Sequence, residues 1–312
     1  MSKEFIVTHY YHSGFSVSHD EILLVFDYWR GEEGELTEDL QIKESELCSY
    51  NQVFVFISHE HPDHMDPVVF SWKKYEHVHY IVASDMPVGT RGKRMAPGDE
   101  LSLNPSLSVK AFDSTDLGVS FLVYFDGISF FHAGDLNFWH WRDESTMQEI
   151  TEAEEDFKKA LEPIKKEKVD VAFFPVDPRQ GSMFEAGADS FILSIKPRLL
   201  IPMHYFHRAD VAMEYARTAG NRSTAVLAMP EYGMILKITV DDSGFMDLSF
   251  ISRDELPIRS KIDSDKTAID SLSDNNPFND TDLPLSQLAF STEEDSMPKN
   301  AKEADESLKN KD

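Results

Sequence analysis

The chain has 312 residues, 41% of them hydrophobic, enough apolar material for a substantial core in one large domain or two ordinary ones. Its 56 acidic and 30 basic side chains leave a formal charge of −26, which repels phosphate backbones and anionic membranes and disfavours nucleic acid as a partner. The single cysteine, Cys48, excludes an internal disulfide and a thiolate metal cluster, so any metal site must use His and carboxylate. The first residues, Met1-Ser2-Lys3-Glu4-Phe5-Ile6-Val7, lack the marks of a secretory signal, and no apolar run reaches membrane-spanning length. A cytoplasmic protein without a membrane span is expected.

The first quarter reads as strands. Phe5 to Tyr10, Phe15 to Ser18 and Ile22 to Phe26 are short, rich in β-branched and aromatic residues, and separated by polar breaks. Arg30 to Glu44 is polar and reads as a loop. Val53 to Ile57 is a continuous apolar run, which predicts a strand buried on both faces. Asp66-Pro67 then predicts a helix start, Asp as the cap and Pro at the first helical position, with the helix running to about Tyr75. Strands are expected over His79 to Ala83, Leu101 to Phe112, Val119 to Phe125 and Ile128 to His132, with Asp126-Gly127 as a two-residue hairpin turn. Helices are expected over Glu152 to Lys166, Glu185 to Ser194 and Asp210 to Thr218. They alternate with strands over Val169 to Phe174, Arg198 to Met203, Ala225 to Ala228 and Met234 to Val240. This order predicts an α/β fold of two sheets packed face to face with helices outside. Residues 1–252 form that domain, and 253–312 read as an acidic, aromatic-poor, disordered tail. Within the tail, Leu283 to Phe290 reads as a solvated segment rather than a docking one.

The chemistry concentrates in His59-Glu60-His61-Pro62-Asp63-His64. Neutral imidazole and carboxylate are ligands for zinc, iron or manganese. Alternate residues leaving a strand point the same way, so His59 and His61 can grip one ion. The chain then turns, and Asp63 and His64 can face a second. A surface His-rich turn is the competing reading, disfavoured by the buried strand before the motif and the capped helix after it. Two other apolar strands end in ligand-type residues: one runs into His132-Ala133-Gly134-Asp135, the other into Met203-His204. Strand ends at one sheet edge are where binding groups collect, so Asp135 and His204 join the candidate site.

These residues resemble the metallo-β-lactamase-fold hydrolase superfamily. Within it the chain is most similar to the branch of the ascorbate-6-phosphate lactonase-like and N-acylphosphatidylethanolamine phospholipase D-like enzymes. The matching pieces are HSGF (His12 to Phe15), VFDY (Val25 to Tyr28), SHEHPDH (Ser58 to His64), FHAGDLN (Phe131 to Asn137) and IKPRLLIPMHY (Ile195 to Tyr205), spread over roughly residues 5–240. SHEHPDH is specific for the superfamily; the others support the branch. The resemblance implies a four-layer αββα sandwich with two divalent ions, zinc first and manganese or iron as alternatives. It implies His59 and His61 on the first ion, Asp63, His64 and His204 on the second, Asp135 between them, and Asp27 as a carboxylate steadying a ligand His.

One departure stands out. Many relatives carry a further first-ion His about twenty residues before the Gly-Asp turn, where this chain reads Phe112-Asp113-Ser114-Thr115-Asp116-Leu117-Gly118. Asp116 (or Asp113) replaces it, or His132 reaches in, or the first ion is weak or absent. Asp116 is the preferred ligand, and His132 is read as a support behind the ligands. The implied activity is metal-dependent hydrolysis of a small ester, lactone or phosphodiester by a metal-bound hydroxide, with Asp63 handling the proton. His12, Arg179 and His207 are candidate contacts for a small-molecule substrate. Trp139 and Trp141 read as core packing rather than a substrate wall. An RNA-processing nuclease, an iron-dependent oxidoreductase and a non-catalytic metal-binding protein are the alternatives on the same fold; the acidic charge argues against the first. Oligomeric state stays open.

Overall fold

The computed structural model describes residues 2–256, apart from 33, 142, 143 and 222. The expected tail, with its 283–290 segment, lies outside the described residues except for 253–256, where Arg253–Glu255 make a short 3-10 turn.

The first sheet is built from β1 (Lys3–His9), β2 (Phe15–His19), β3 (Ile22–Phe26), β4 (Gln52–Ile57), β5 (Val78–Ala83) and β6 (Lys93–Met95). The chain then crosses to the second sheet: β7 (Glu100–Asn104), β8 (Leu107–Phe112), β9 (Ser120–Phe125), β10 (Ile128–His132), β11 (Val171–Pro175), β12 (Leu199–Met203) and β13 (Ala225–Val226). It returns to the first sheet with β14 (Ile235–Val240) and β15 (Met246–Ile251), giving the order β15-β14-β1-β2-β3-β4-β5-β6. Both sheets are half antiparallel meander and half parallel. In the first, β3 to β6 run parallel; in the second, β10 to β13 do. The two-sheet α/β sandwich of the metallo-β-lactamase type is therefore present.

Aromatic rings lock the two sheets together. Phe15 stacks on Phe173 with centroids 4.4 Å apart. Phe5 meets Phe130 at 5.4 Å, and Phe56 meets Phe121 at 5.4 Å. All six rings are fully buried. Each such side chain removes enough apolar area from water to contribute roughly 2–3 kcal/mol. After the four-residue helix α1 (Glu44–Leu47), helices α2 (Met147–Ile164), α3 (Ala186–Ile195) and α4 (Ala209–Ala219) cover the outer face of the second sheet. The outer face of the first is covered near β5 by a 3-10 helix, Pro67–Lys74.

Local chemistry explains where expectation and structure part. The run 101–112 is two strands, because Asn104 accepts a bond from the Ser106 amide at 2.9 Å and Pro105 has no amide to offer a ladder. Helix α2 starts at Met147, five residues before the expected start, where Thr146 and Glu149 form a capping box. Asp66 caps as expected, accepting from the Val68 amide at 2.9 Å, but the turns that follow are 3-10 rather than α. β6 and β15 were not legible, since both are short or half-exposed edge strands. The Asp126-Gly127 turn has φ of 46° and 83°, the doubly left-handed geometry that a two-residue hairpin requires. No helix among the described residues is long and apolar enough to cross a membrane.

Because Phe173 bridges the sheets, Phe173→Ala should cost about 3–5 kcal/mol in urea unfolding with little change in slope. A loss below about 1 kcal/mol would show that the inter-sheet stack is not a principal source of stability.

Candidate metal centre

Every residue of the centre follows the C-terminal end of a strand. β3 delivers Asp27, and β4 delivers Ser58 and then the His59–His64 loop. β10 delivers Asp135, β11 delivers Asp177, and β12 delivers His204. These strands lie in the parallel halves of their sheets, so their C-terminal ends share one rim. Three of the rim residues bend back through left-handed backbone: His12 at φ 54°, Asp27 at 40° and His204 at 63°. Non-glycine residues adopt this region at a cost, and such strain gathers at functional sites.

The side chains converge in three overlapping groups whose candidate ligand atoms lie within 4.8 Å of one another: His12-Asp63-His64-His204, His59-His64-Asp135 and His61-Asp116-Asp135. Asp135 stands between them. Its Oδ1 is 2.9 Å from His64 Nε2 and 3.2 Å from His204 Nε2, while its Oδ2 is 3.4 Å from His59 Nε2. Despite these short distances, His64 Nε2, His204 Nε2 and Asp135 Oδ1 make no aligned hydrogen bond, and His61 Nε2 has no partner either. Buried polar atoms are rarely left so. Atoms that face one gap without bonding each other are placed where they could hold a cation.

The outer bonds decide which ring nitrogens are bare. Asp27 accepts from the Ser58 amide at 2.8 Å, the Ser58 hydroxyl at 2.6 Å and His64 Nδ1 at 2.8 Å. Ser58 Oγ, having given its proton to Asp27, accepts from His59 Nδ1 at 2.9 Å. Asp177 accepts from His204 Nδ1 at 3.0 Å. Each donation puts the proton on Nδ1 and leaves Nε2 a lone pair. His59, His64 and His204 are thus all prepared to ligate. His59 Nε2, with no proton of its own, accepts from His61 Nδ1 at 3.0 Å, which leaves His61 Nε2 without a partner.

Two other histidines are committed elsewhere. His132 donates from Nε2 to the Ser13 carbonyl at 2.8 Å and accepts the Gly134 amide on Nδ1 at 3.2 Å. Neither nitrogen is left for an ion, so the ring serves as packing under the rim, stacked on Phe26. His12 accepts the Phe206 amide on Nδ1, which puts its proton on Nε2, 3.2 Å from Asp63 Oδ2. Burial and the nearby His204 push the pKa of His12 down to about 3, so it stays neutral.

The charges suit cations. Burial opposes ionisation of Asp63 and Asp135, yet His64 and the other facing imidazoles hold both carboxyls well below the usual range. Burial likewise works against the Asp177 anion, but Arg179 and His204 outweigh it. Burial opposes a charge on His204 too, and Asp135 and Asp177 nevertheless raise it to about 9, so without an ion its Nε2 holds a proton that a bound cation would displace. The donor set, bare imidazole nitrogens around ionised carboxylates, fits a pair of divalent ions.

The structure brings His59, His61, Asp63, His64, Asp135 and His204 together, with Asp27 and His132 behind them. Asp116 reaches the rim, its Oδ2 3.9 Å from His61 Nδ1, whereas Asp113 belongs to none of the three groups. Arg179 lies beside the centre, bonded through Nε and Nη2 to Asp177 and 5.0 Å over the Phe206 ring. His207 is exposed and belongs to none of the groups. Trp139 is half-buried, its ring 5.6 Å from His204 and its indole N–H donating to the Asp135 carbonyl at 2.8 Å. Sequence reading missed Asp177 and Ser58. The signal for Asp177 was present: Asp177-Pro178 follows an apolar strand, as Asp66-Pro67 follows the motif loop.

Fold and rim together define a two-sheet sandwich of the metallo-β-lactamase fold whose rim holds His/Asp groups that could bind metal. No protein-family model matches the chain, and no curated protein sequence does. Among solved structures, it is similar to Igni18, a metallo hydrolase from the archaeon Ignicoccus hospitalis, at 18% identity and TM-score 0.55, covering 75% of this chain and 98% of that one. A Parabacteroides distasonis protein described as a metal-dependent hydrolase aligns at 17% identity and TM-score 0.52, over 73% of this chain and 94% of its own. A variant of the CmlA β-hydroxylase aligns at 15% identity and TM-score 0.50, over 75% of this chain but 53% of its own.

Two glycines let the rim close. At Gly118, φ 71°, a Cβ would lie 1.8 Å from the Ser58 carbonyl oxygen and 2.7 Å from His59 Cβ. At Gly134, φ 55°, it would meet Ser58 Cβ at 2.8 Å. Gly118→Ala should therefore displace His59, lowering bound metal by at least about tenfold in affinity, as loss of a ligand's support does. Gly98→Ala, at φ 94° with nothing within 4 Å, should carry only the backbone strain of about 1–3 kcal/mol. Equal metal binding by the two variants in equilibrium dialysis would rule out the close approach as the cause.

Proposed function

We propose that this chain is a metal-dependent hydrolase acting on a small ester, lactone or phosphodiester at a two-ion centre. His59, His61 and Asp116 hold the first ion, Asp63, His64 and His204 the second, and Asp135 both. The observation that carries this reading is the set of three histidines whose Nδ1 protons are fixed by outer acceptors, so that all three turn Nε2 toward Asp135. Divalent ions in such a set lower the pKa of water and stabilise negative charge on the attacked oxygen.

The chain's own groups do the rest. Asp63 Oδ2 receives the proton lost by the attacking water. His12 Nε2 lies 3.2 Å from that oxygen without an aligned bond, and its ring backs the carboxylate. Arg179 binds an anionic group of the substrate. Its Nε and Nη2 are held by Asp177, which leaves Nη1 with no bond to a described group. Phe206 beneath the guanidinium and Trp139 beside His204 supply flat apolar walls. Hydrolysis of nucleic acid is disfavoured by the −26 charge. The narrower placement belongs to the same reading: the lactonase-like or phospholipase D-like branch, zinc as the metal, and a cytoplasmic location.

Purified protein should carry two divalent ions per chain by elemental analysis. It should hydrolyse at least one class in a panel of model phosphodiesters, lactones and thioesters. His61→Ala should lower that activity by more than the roughly 10–100-fold that loss of an outer partner costs. Undiminished turnover by His61→Ala would remove the metal mechanism. One iron per chain and no hydrolysis would favour an oxidoreductase instead.

A further inference from the structure

The segment that replaces the usual imidazole is held firmly. Thr115 Oγ1 accepts the Asn137 amide at 2.9 Å and donates to the Asn137 carbonyl at 2.5 Å, tying the loop to the turn after Asp135. Three residues on, the Gly118 amide donates to Asp85 at 2.9 Å, and the Val119 amide donates to the Ser58 carbonyl at 3.0 Å. Asp116 stands between these anchors. Its backbone place at the rim is therefore fixed by the fold.

On the two-ion assignment above, with Asp116 as ligand, each ion would take two imidazoles, one carboxylate of its own, and a share of Asp135. The two positions then have equal donor sets but unequal surroundings. Around the second ion, Asp63, His64 and His204 have side-chain exposures of 8%, 0% and 1%. Around the first, Asp116 is 41% exposed. An exposed carboxylate is hydrated and competes for its ion with water, whereas a buried imidazole does not. Carboxylate in place of imidazole also moves a site toward manganese-type ions.

From this we infer that the two ion positions are unequal. The His59-His61-Asp116 position is the exchangeable one, and Asp116 makes it less selective for zinc than an imidazole would. The inference rests on the two-ion reading above and adds that the first ion comes and goes while the second stays. The chain's activity would then follow the supply of a labile divalent ion.

The test is metal release. Apo protein is reloaded with two equivalents of Zn2+ or Mn2+ and mixed with excess EDTA, and release is followed with a colorimetric indicator. Wild type should release one ion per chain at least tenfold faster than the other. Asp116→Ala should bind one ion only and release it at the slow rate. Asp116→His should slow the fast phase tenfold or more and raise the Zn2+-to-Mn2+ affinity ratio there by a similar factor, leaving the slow phase unchanged. Thermal unfolding of each apo variant confirms that it is folded. Single-phase release of both ions from wild type, or a fast phase indifferent to both substitutions, would overturn the inference while leaving a two-ion enzyme intact. Failure of wild type to bind any ion would overturn the two-ion reading along with it.

Discussion

A single buried carboxylate organises the rim. Asp27 takes three hydrogen bonds, two from Ser58 and one from His64. Through Ser58 it also fixes the ring of His59. The proton positions on two ligand histidines therefore follow from one anion placed at the end of β3. Burial works against that anion, and His132 with His64 more than compensates, holding the carboxyl below its usual range. Asp177 repeats the device on the other sheet for His204, with Arg179 as its counter-charge. The site is thus two carboxylate-histidine relays facing one another across Asp135.

The architecture supplies that arrangement at low cost. Parallel strands end on a common edge, and the sandwich brings two such edges together. Polar side chains at those ends need no reach into the core, whose interior is left to stacked phenylalanines. The cost is local: left-handed backbone at His12, Asp27 and His204, and two glycines where the chain passes within contact of Ser58.

Much of this was legible in the residues. The motif loop could be read because its ligands are adjacent and its flanks, a buried strand and an Asp-Pro cap, are local signals. The two-sheet fold followed from the order of apolar runs. Asp135 and His204 were readable as strand-end residues. What escaped depends on distance in sequence. Asp177 looks like an ordinary cap until His204, 27 residues away, is seen to donate to it. The commitment of both His132 nitrogens is visible only once Ser13 is brought against it, 119 residues away. His207, a candidate substrate contact from its place three residues past His204, is exposed and belongs to none of the three groups. The break in the 101–112 run was carried by Asn104-Pro105, a turn signal outweighed by the apolar residues around it.

The rim draws its candidate ligands from both sheets. His59, His61, Asp63 and His64 leave the first sheet, whereas Asp135 and His204 leave the second. An ion bound there would be a fastener between halves that are otherwise joined by apolar stacking, loops and a few polar bonds such as His132 to Ser13. Ligand binding to the folded state alone stabilises it by mass action, here across the one seam a sandwich can open along. The resistance of this molecule to unfolding and its fitness for chemistry would accordingly rise and fall with the same quantity, the free concentration of the ion around it.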